Sequence, residues 1–153
     1  KTPDNAKEMG NTGGIYYTET SLQDSIVKLM EEVQQNGNGG DIPENDLEAL
    51  LFAIKKYPNA KEYVLIADSK SSIRDWELLG QLDKPIRIIL ARTSESLFSI
   101  HAQYIELALR TKGSLYTATD DFPTAKELKN LELYQQGFRD EYDKANKSIK
   151  KKN

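Results

Sequence analysis

The sequence predicts an open α/β domain in which helices cover a mainly parallel sheet. The continuous apolar run 63–67 is typical of a parallel strand that is covered on both faces, and the mostly aliphatic run 86–91 is typical of a second buried strand. Segments with a helical spacing of apolar residues separate these runs, and the elements follow in the order β-α-α-β-α-β-α-β-α. Parallel strands that are joined by helical crossovers account for this order, as in Rossmann-like folds.

The composition predicts one globular domain. The chain has 153 residues, of which 29% are charged and 38% are apolar, a balance that is typical of soluble folded proteins. Its net charge of −3 argues against nucleic acid as the main partner, because a basic surface is missing. Cysteine is absent, which excludes disulfides, thiolate metal sites and a cysteine nucleophile. No apolar run has the length of a membrane span.

The chain divides into a polar lead-in (1–13), an α/β domain (14–123) and a charged C-terminal helix and tail (124–153). Its first residue is Lys1 rather than Met, which indicates a processed form, a trimmed chain or part of a longer protein. The predicted strands are 14–18, 63–67, 86–91 and 114–119. Five helices are predicted: 22–35, a second from the acidic turn to about 56, a short third at 76–82, a fourth at 100–111 and a fifth at 124–147. The fifth helix could break at residue 137.

The glycine-rich stretch 37–40 leads into an acidic turn that opens the second helix. Asp41 stands at the N-cap position, Pro43 fits the first turn, and Glu44 follows Asp41 by three residues, as in a capping box. Asp41 and Glu44 could serve as metal or ligand groups, or they could satisfy the free amides of the helix start, which these residues alone favour. A phosphate loop is not indicated, because the glycines follow a helix and lack the associated lysine.

Asp68 comes directly after the buried run 63–67. A carboxylate in that place costs desolvation free energy unless it is paired, solvated or bound to a cation. Ser69 adds a hydroxyl oxygen, so that Asp41, Glu44, Asp68 and Ser69 together offer the oxygen ligands that suit Mg²⁺, Ca²⁺ or Mn²⁺. Because the carboxyl ends of parallel strands meet at one edge of the sheet, the candidate site is expected at that edge.

The remaining candidate residues are predicted to have structural rather than catalytic or binding roles. His101, the only histidine, lies near a helix start and suits a surface or capping role, because no nucleophile motif accompanies it. Asp120 and Asp121 are interpreted as turn residues, and Asp75 as a cap for the short helix that follows it. Tyr104 is interpreted as a core or interface aromatic.

The stretch from Gly39 to Glu44, with the letters GGDIPE, resembles the second metal loop of von Willebrand factor type A (VWA) domains. It is also similar to the DxPE loop of integrin β-subunit I-like domains. The run 64–67 with Asp68 is similar to the next strand of the family, whose terminal Asp forms the third metal loop, and the resemblance covers about 14–122. It implies an adhesion site in which Mg²⁺ leaves a position open for an acid from a partner protein. Glu44 and Asp41 would then belong to the second loop, Asp68 to the third, with Ser69 as an addition.

The sequence departs from the family at the first metal loop, DxSxS, which is absent. Only the stretch 18–21 resembles it, and it has no leading Asp. By order, residues 15–18 match the third strand of the family, so the first strand, which lies in the middle of the family's sheet, is not in this chain. Without it, buried strand edges would be unpaired. Either an N-terminal fragment from the same precursor or from another chain supplies the missing strands, or the four strands present pair in a reduced sheet.

The resemblance implies a protein-interaction or adhesion module rather than an enzyme, with a degenerate or incomplete divalent-metal site. A carboxylate from the partner would complete the coordination. The alternative is a small Mg²⁺-dependent enzyme or ligand-binding domain that uses Asp68 on a phosphate-containing substrate, and it would need a nucleophile or base that the sequence does not display. The resemblance favours an exported or cell-surface location.

Overall fold

A computed structural model of the chain describes residues 17–36, 44–68, 71–91 and 97–150. It contains a four-stranded sheet in the order β1-β2-β3-β4, with the strands Tyr63–Asp68, Ile86–Ala91, Ser114–Tyr116 and Asp121–Phe122. The first three strands run parallel, and β4 runs antiparallel to β3. The prediction of an open α/β fold is therefore confirmed.

The helices in the described ranges are α1 (Gln23–Asn36), α2 (Asp46–Lys56), α3 (Ala102–Arg110) and α4 (Ala125–Lys150). Two 3-10 helices, Trp76–Gln81 and Leu97–Ser99, lie in the connections that flank β2. Helix α4 continues through Gly137, so the break that the sequence suggested there does not occur. No helix of the described part is long and apolar enough to cross a membrane.

The hydrophobic core lies on one face of the sheet. Along β2, Ile86, Ile88 and Leu90 are fully buried and alternate with exposed residues, because successive side chains of a strand point to opposite faces. Helix α2 packs on β1 and α3 packs on β2 and β3, while α4 contacts α3 and the β3–β4 side of the sheet. Their buried side chains are Leu47, Leu50, Tyr104, Ile105, Leu107, Ala108, Leu128 and Leu131.

The opposite face of the sheet is uncovered in the described part of the chain. Val64, Ile66 and Ile89 point to this face and are 44%, 70% and 37% exposed. The prediction that the run 63–67 is covered on both faces is therefore wrong for the described residues. Helix α1 does not cover this face either, since its apolar residues Ile26 and Met30 are themselves exposed.

Strand β1 has a strand neighbour on one side only among the described residues, and its outer edge is open. The predicted strand 14–18 is not found there: Tyr17 and Thr18 are not in a strand, and residues 14–16 lie outside the described residues. Instead, the Tyr17 ring packs against Phe52 of α2, with 5.4 Å between the ring centroids.

The turn between α3 and β3 places β3 against the start of β2. Lys112 adopts a left-handed conformation with φ 55°, and the N–H of Gly113 donates to the carbonyl of Ala108 at 2.8 Å. A Cβ at position 113 would overlap the carbonyl of Ile86, so only glycine allows this close approach. Strand β3 ends at Tyr116, earlier than predicted, and Asp121 begins β4 rather than remaining in a turn, whereas Asp120 does lie in the turn.

Candidate functional site

The candidate site is the edge of the sheet where the parallel strands end, and Glu44 and Asp68 both belong to it. Asp68 is the last residue of β1. Glu44 forms a parallel bridge with Ile73, in the segment that follows β1. In that bridge the N–H of Glu44 donates to the carbonyl of Ser72 at 2.9 Å, and its own carbonyl accepts from the N–H of Arg74 at 2.7 Å. Asp41 and Ser69, the other two predicted ligands, lie outside the described residues.

Helix α2 begins at Asp46 rather than at the acidic turn. Asn45 is its N-cap residue, and the Asn45 side chain makes no capping hydrogen bond. Glu44 therefore lies before the helix, paired with the segment after β1, and not within the first turn. The interpretation of Asp41 and Glu44 as a capping box of this helix is wrong for that reason.

Asp75 caps helix α2 from a distant part of the chain. Its carboxylate accepts hydrogen bonds from the N–H of Leu47 at 3.3 Å and from the N–H of Glu48 at 2.6 Å. The sequence placed Asp75 as a cap of the 3-10 helix that follows it, but its side chain makes no capping bond there. A carboxylate at a helix N-terminus satisfies free amides and interacts favourably with the helix dipole, so Asp75 fixes where α2 begins.

Asp75 is almost completely buried, with 1% of its surface exposed. Burial raises the pKa of its carboxyl group, because desolvation disfavours the charged form. The hydrogen bonds from Glu48 and Leu47 and the charge of Arg74 act in the opposite direction and offset part of that effect. The net direction of the pKa shift is upward.

A second buried contact joins α2 to α3. The hydroxyl of Tyr104, which is fully buried, donates to the carboxylate of Asp46 at 2.8 Å. Burial raises the pKa of Asp46, the charge of Asp75 adds to this, and the hydrogen bond from Tyr104 counteracts it. Tyr104 thus serves as a neutral donor at the first turn of α2 rather than only as a core aromatic.

The charges of two predicted ligands, Glu44 and Asp68, affect the hydroxyl group of Tyr104. Burial is the largest cause that raises the pKa of its hydroxyl, followed by the charge and hydrogen bond of Asp46 and then by the charges of Glu44 and Asp68. The charges of three carboxylates, Glu44 and Asp46 before and at the start of α2 and Asp68 at the end of β1, therefore act on the same hydroxyl group. Glu44 and Asp68 lie at one edge of the sheet, and the carboxylates of Asp46 and Asp75 lie at the start of α2 beside them.

The side chain of Gln103 holds the segment after β1 in place. Its amide oxygen accepts from the N–H of Ile73 at 2.8 Å, and its amide nitrogen donates to the carbonyl of Ile73 at 3.4 Å. His101 is the N-cap residue of α3, and its Nδ1 accepts from the N–H of Gln103 at 3.4 Å, which confirms the capping role. Burial, together with the charge of Arg139, lowers the pKa of His101.

Among the described residues, carboxyl groups outnumber cationic side chains at this edge. Glu44, Asp46, Asp68 and Asp75 contribute four carboxyl groups, while Arg74 is the cation that acts on Asp75. The N-termini of α2 and α3 also point here, and each carries roughly half a positive charge.

The described residues do not complete a metal site by themselves. Within the described ranges, no three carboxylate or histidine side chains lie close enough together to hold one ion. Two buried oxygens next to Glu44, Asn45 Oδ1 and Glu48 Oε2, have no hydrogen-bond partner among the described residues. Carboxylate and amide oxygens are the donors that hard divalent cations take, so the donor chemistry fits even though the set is incomplete.

Comparisons of the chain with protein-family models, with curated proteins and with solved structures find no match. Similarity to known proteins therefore assigns neither a family nor an activity to this chain.

Proposed function

We propose that the protein is a VWA-like interaction module that binds a partner protein through a divalent cation at the carboxyl edge of the sheet. Glu44 and Asp68 would hold the ion directly or through water, with Asp41 in the preceding loop and Ser69 after Asp68. A carboxylate from the partner would occupy the remaining coordination position. Mg²⁺, Ca²⁺ and Mn²⁺ are the candidate ions, because all the donors are oxygens.

The observation that supports this proposal is that Glu44 and Asp68 lie at the same edge of the sheet. The two residues lie 24 positions apart, Asp68 at the end of a strand and Glu44 before helix α2. Each lies at the carboxyl end of the sheet, one in β1 and the other in the bridge with Ile73. Their combined charge, with Asp46 beside them, favours a cation over an anionic substrate.

The resemblance implies a second kind of partner, an N-terminal fragment that supplies the missing strands. The outer edge of β1 is where such a fragment would pair, because this strand has six residues and one strand neighbour in the described part of the chain. Binding there would involve backbone hydrogen bonds rather than the carboxylates, so it is separable from cation binding by mutation.

The experiment that tests the cation site is a titration of the full chain with Mg²⁺, Ca²⁺ and Mn²⁺, followed by calorimetry and by thermal unfolding. At ten times the dissociation constant, an ion that binds only the folded state adds about 1.4 kcal/mol of stability. For a domain of this size, that raises the melting temperature by about 3–5 °C. We expect this shift in the wild type and its loss in Asp68→Asn and Glu44→Gln.

Asp83→Asn is the matched control, because Asp83 is an exposed carboxylate in the loop before β2, at the opposite end of the sheet. It should retain the full cation response. If all three variants respond like the wild type, or if no ion changes the melting temperature, the cation site is refuted. A partner that stays bound in chelator and to Asp68→Asn would show an interaction that does not use the cation.

A further inference from the structure

The amino end of the sheet, opposite the carboxyl edge, carries a cavity of about 280 Å³. It lies where β1, β2 and β3 begin, and Pro123, directly after β4, completes its wall. This volume is near the lower limit for small-molecule sites, which measure roughly 300–1,000 Å³. The amino-end cavity therefore has room for a small ligand rather than for a large cofactor.

Three lysines reach this cavity from equivalent positions in the sheet. Lys61, Lys84 and Lys112 each stand two positions before the first residue of a strand, namely β1, β2 and β3. These strands pair in parallel, with Tyr63 beside Ile86, so their amino ends meet at one edge. The three lysines, which are distant from one another in the sequence, consequently line the same cavity.

The amino-end cavity is cationic although the chain as a whole is acidic. Its lining contains the three lysines and Arg87, against a single carboxylate, that of Glu62. Arg87 is already engaged, because its guanidinium forms an ion pair with Glu62 at 2.8 Å. Among the described residues, none of the three lysine ammonium groups has an ion-pair partner. Three positive charges without a counter-charge thus surround one cavity in a chain whose net charge is −3.

We propose that the amino-end cavity binds a phosphoryl dianion, either free phosphate or the phosphate group of a small monoester. Lysine ammonium groups bind phosphate as point charges, and a dianion is attracted about twice as strongly as a carboxylate by the same cations. A carboxylate suits the cavity less well, because the planar fork that recognises carboxylates belongs to Arg87, which is paired with Glu62. The half-buried Ser114 adds a hydroxyl donor at the wall.

This inference does not depend on the proposed cation site. The residues that line the amino-end cavity include none of the predicted cation ligands, and the two sites lie at opposite ends of the strands. They also select opposite charges, since one is lined by ammonium groups and the other by carboxylates. Either site could therefore fail its test without affecting the other.

The test is a titration of the isotope-labelled full chain with inorganic phosphate and with glycerol phosphate, at constant ionic strength and followed by nuclear magnetic resonance. The amide signals of Gly113 and Ser114 report on the cavity, because both residues line it. We expect these signals to shift and to saturate with either probe, whereas sodium chloride at the same ionic strength leaves them in place. Tighter binding of glycerol phosphate would assign a phosphorylated small molecule as the ligand, and equal affinities would assign phosphate itself.

Removal of single ammonium groups provides the matched comparison. Lys61→Gln, Lys84→Gln and Lys112→Asn should each weaken phosphate binding by about tenfold, the effect of one lost hydrogen bond to a charged group. Asparagine is chosen at position 112 because it tolerates the left-handed conformation that Lys112 adopts. The control is Lys129→Gln, which removes an exposed lysine of α4 outside the cavity lining and should retain the wild-type affinity.

Three results would overturn the inference. The first is the absence of any shift beyond that caused by sodium chloride. The second is an equal loss of affinity in Lys84→Gln and Lys129→Gln, which would show a diffuse attraction to surface charge. The third is phosphate binding that disappears in chelator, because the phosphate would then be held by a bound cation and not by the lysines. Circular dichroism of each variant verifies that a loss of binding does not come from unfolding.

Discussion

Replacing Asp75 by alanine removes the acceptor that holds the start of α2. The N–H groups of Leu47 and Glu48 then lose their partner in a site where Asp75 is 1% exposed, so water cannot easily replace it. Hydrogen bonds to a charged acceptor contribute about 1.5–3 kcal/mol each, and the 3.3 Å bond belongs at the lower end of that range. The substitution also removes the buried charge of Asp75, and the desolvation free energy that is recovered offsets part of this loss of stability. We expect the free energy of unfolding to fall by about 2–3 kcal/mol.

The assay is urea unfolding, followed by far-ultraviolet circular dichroism and by the fluorescence of Trp76, the only tryptophan. The matched control is Glu77→Ala, which removes an exposed carboxylate two residues away and should change stability by less than about 0.5 kcal/mol. A loss of under about 0.5 kcal/mol in Asp75→Ala would refute the role of this carboxylate as the cap of α2.

The pH dependence of the same variant tests the direction of the pKa shift. The pKa of Asp75 is raised in the folded state, so the folded protein takes up this proton at a higher pH than the unfolded chain does. Stability contributed by Asp75 therefore increases as the pH falls through the raised pKa, and the gain is complete below the ordinary value of 3.8. The deficit of Asp75→Ala should grow between pH 7 and pH 4. A deficit that shrinks would show that the two hydrogen bonds outweigh burial.

The same unfolding assay checks three further substitutions. Tyr104→Phe should lower the free energy of unfolding by about 1–2 kcal/mol, because the Asp46 carboxylate loses its donor. Gly113→Ala should cost at least about 3 kcal/mol, because the new methyl group overlaps the carbonyl of Ile86. Gly137→Ala should instead raise stability by about 0.5–1 kcal/mol, because it has open space around it within a continuous helix.

Each of these substitutions has an outcome that would contradict its premise. For Tyr104→Phe, a double-mutant cycle with Asp46→Asn should give a coupling of at least about 0.5 kcal/mol, and strict additivity would mean that the hydrogen bond contributes nothing. Gly113→Ala and Gly137→Ala make the same chemical change with opposite expected signs. Similar effects in both would mean that the close approach at position 113 is absent. No gain at position 137 would mean that α4 is not continuous in solution.

The strands and most helices could be predicted because their signals are local. The run Ile86–Ala91 is aliphatic at every position except Arg87, and the structure makes it a central parallel strand with the bounds expected. Helix α1 begins and ends within one residue of its predicted limits, because it follows a polar cap and stops before a glycine. The local pattern could not predict whether one or both faces of the sheet are covered, because an apolar run has the same sequence in either case.

The contacts of the candidate site could be predicted only in part. That Glu44 and Asp68 share an edge follows from the geometry of parallel strands, but the polar partners there come from distant positions. Asp75 bonds to residues 27 and 28 positions away, and Tyr104 to a residue 58 positions away. No local pattern distinguishes an aspartate that caps its own helix from one that caps another. The acidic turn satisfied every local rule for a helix start, and tertiary contacts nevertheless placed that start further along the chain.

The separation of these partners along the chain has a kinetic consequence. A contact between residues 30 positions apart, such as that between Gln103 and Ile73, closes a long loop that contains β2, and closing this loop costs conformational entropy. We therefore expect the polar contacts at the carboxyl edge to be absent from the folding transition state. Substitutions of Gln103 or Asp75 would then accelerate unfolding and leave the refolding rate almost unchanged. In a chevron plot, the unfolding limb would rise while the refolding limb stayed in place.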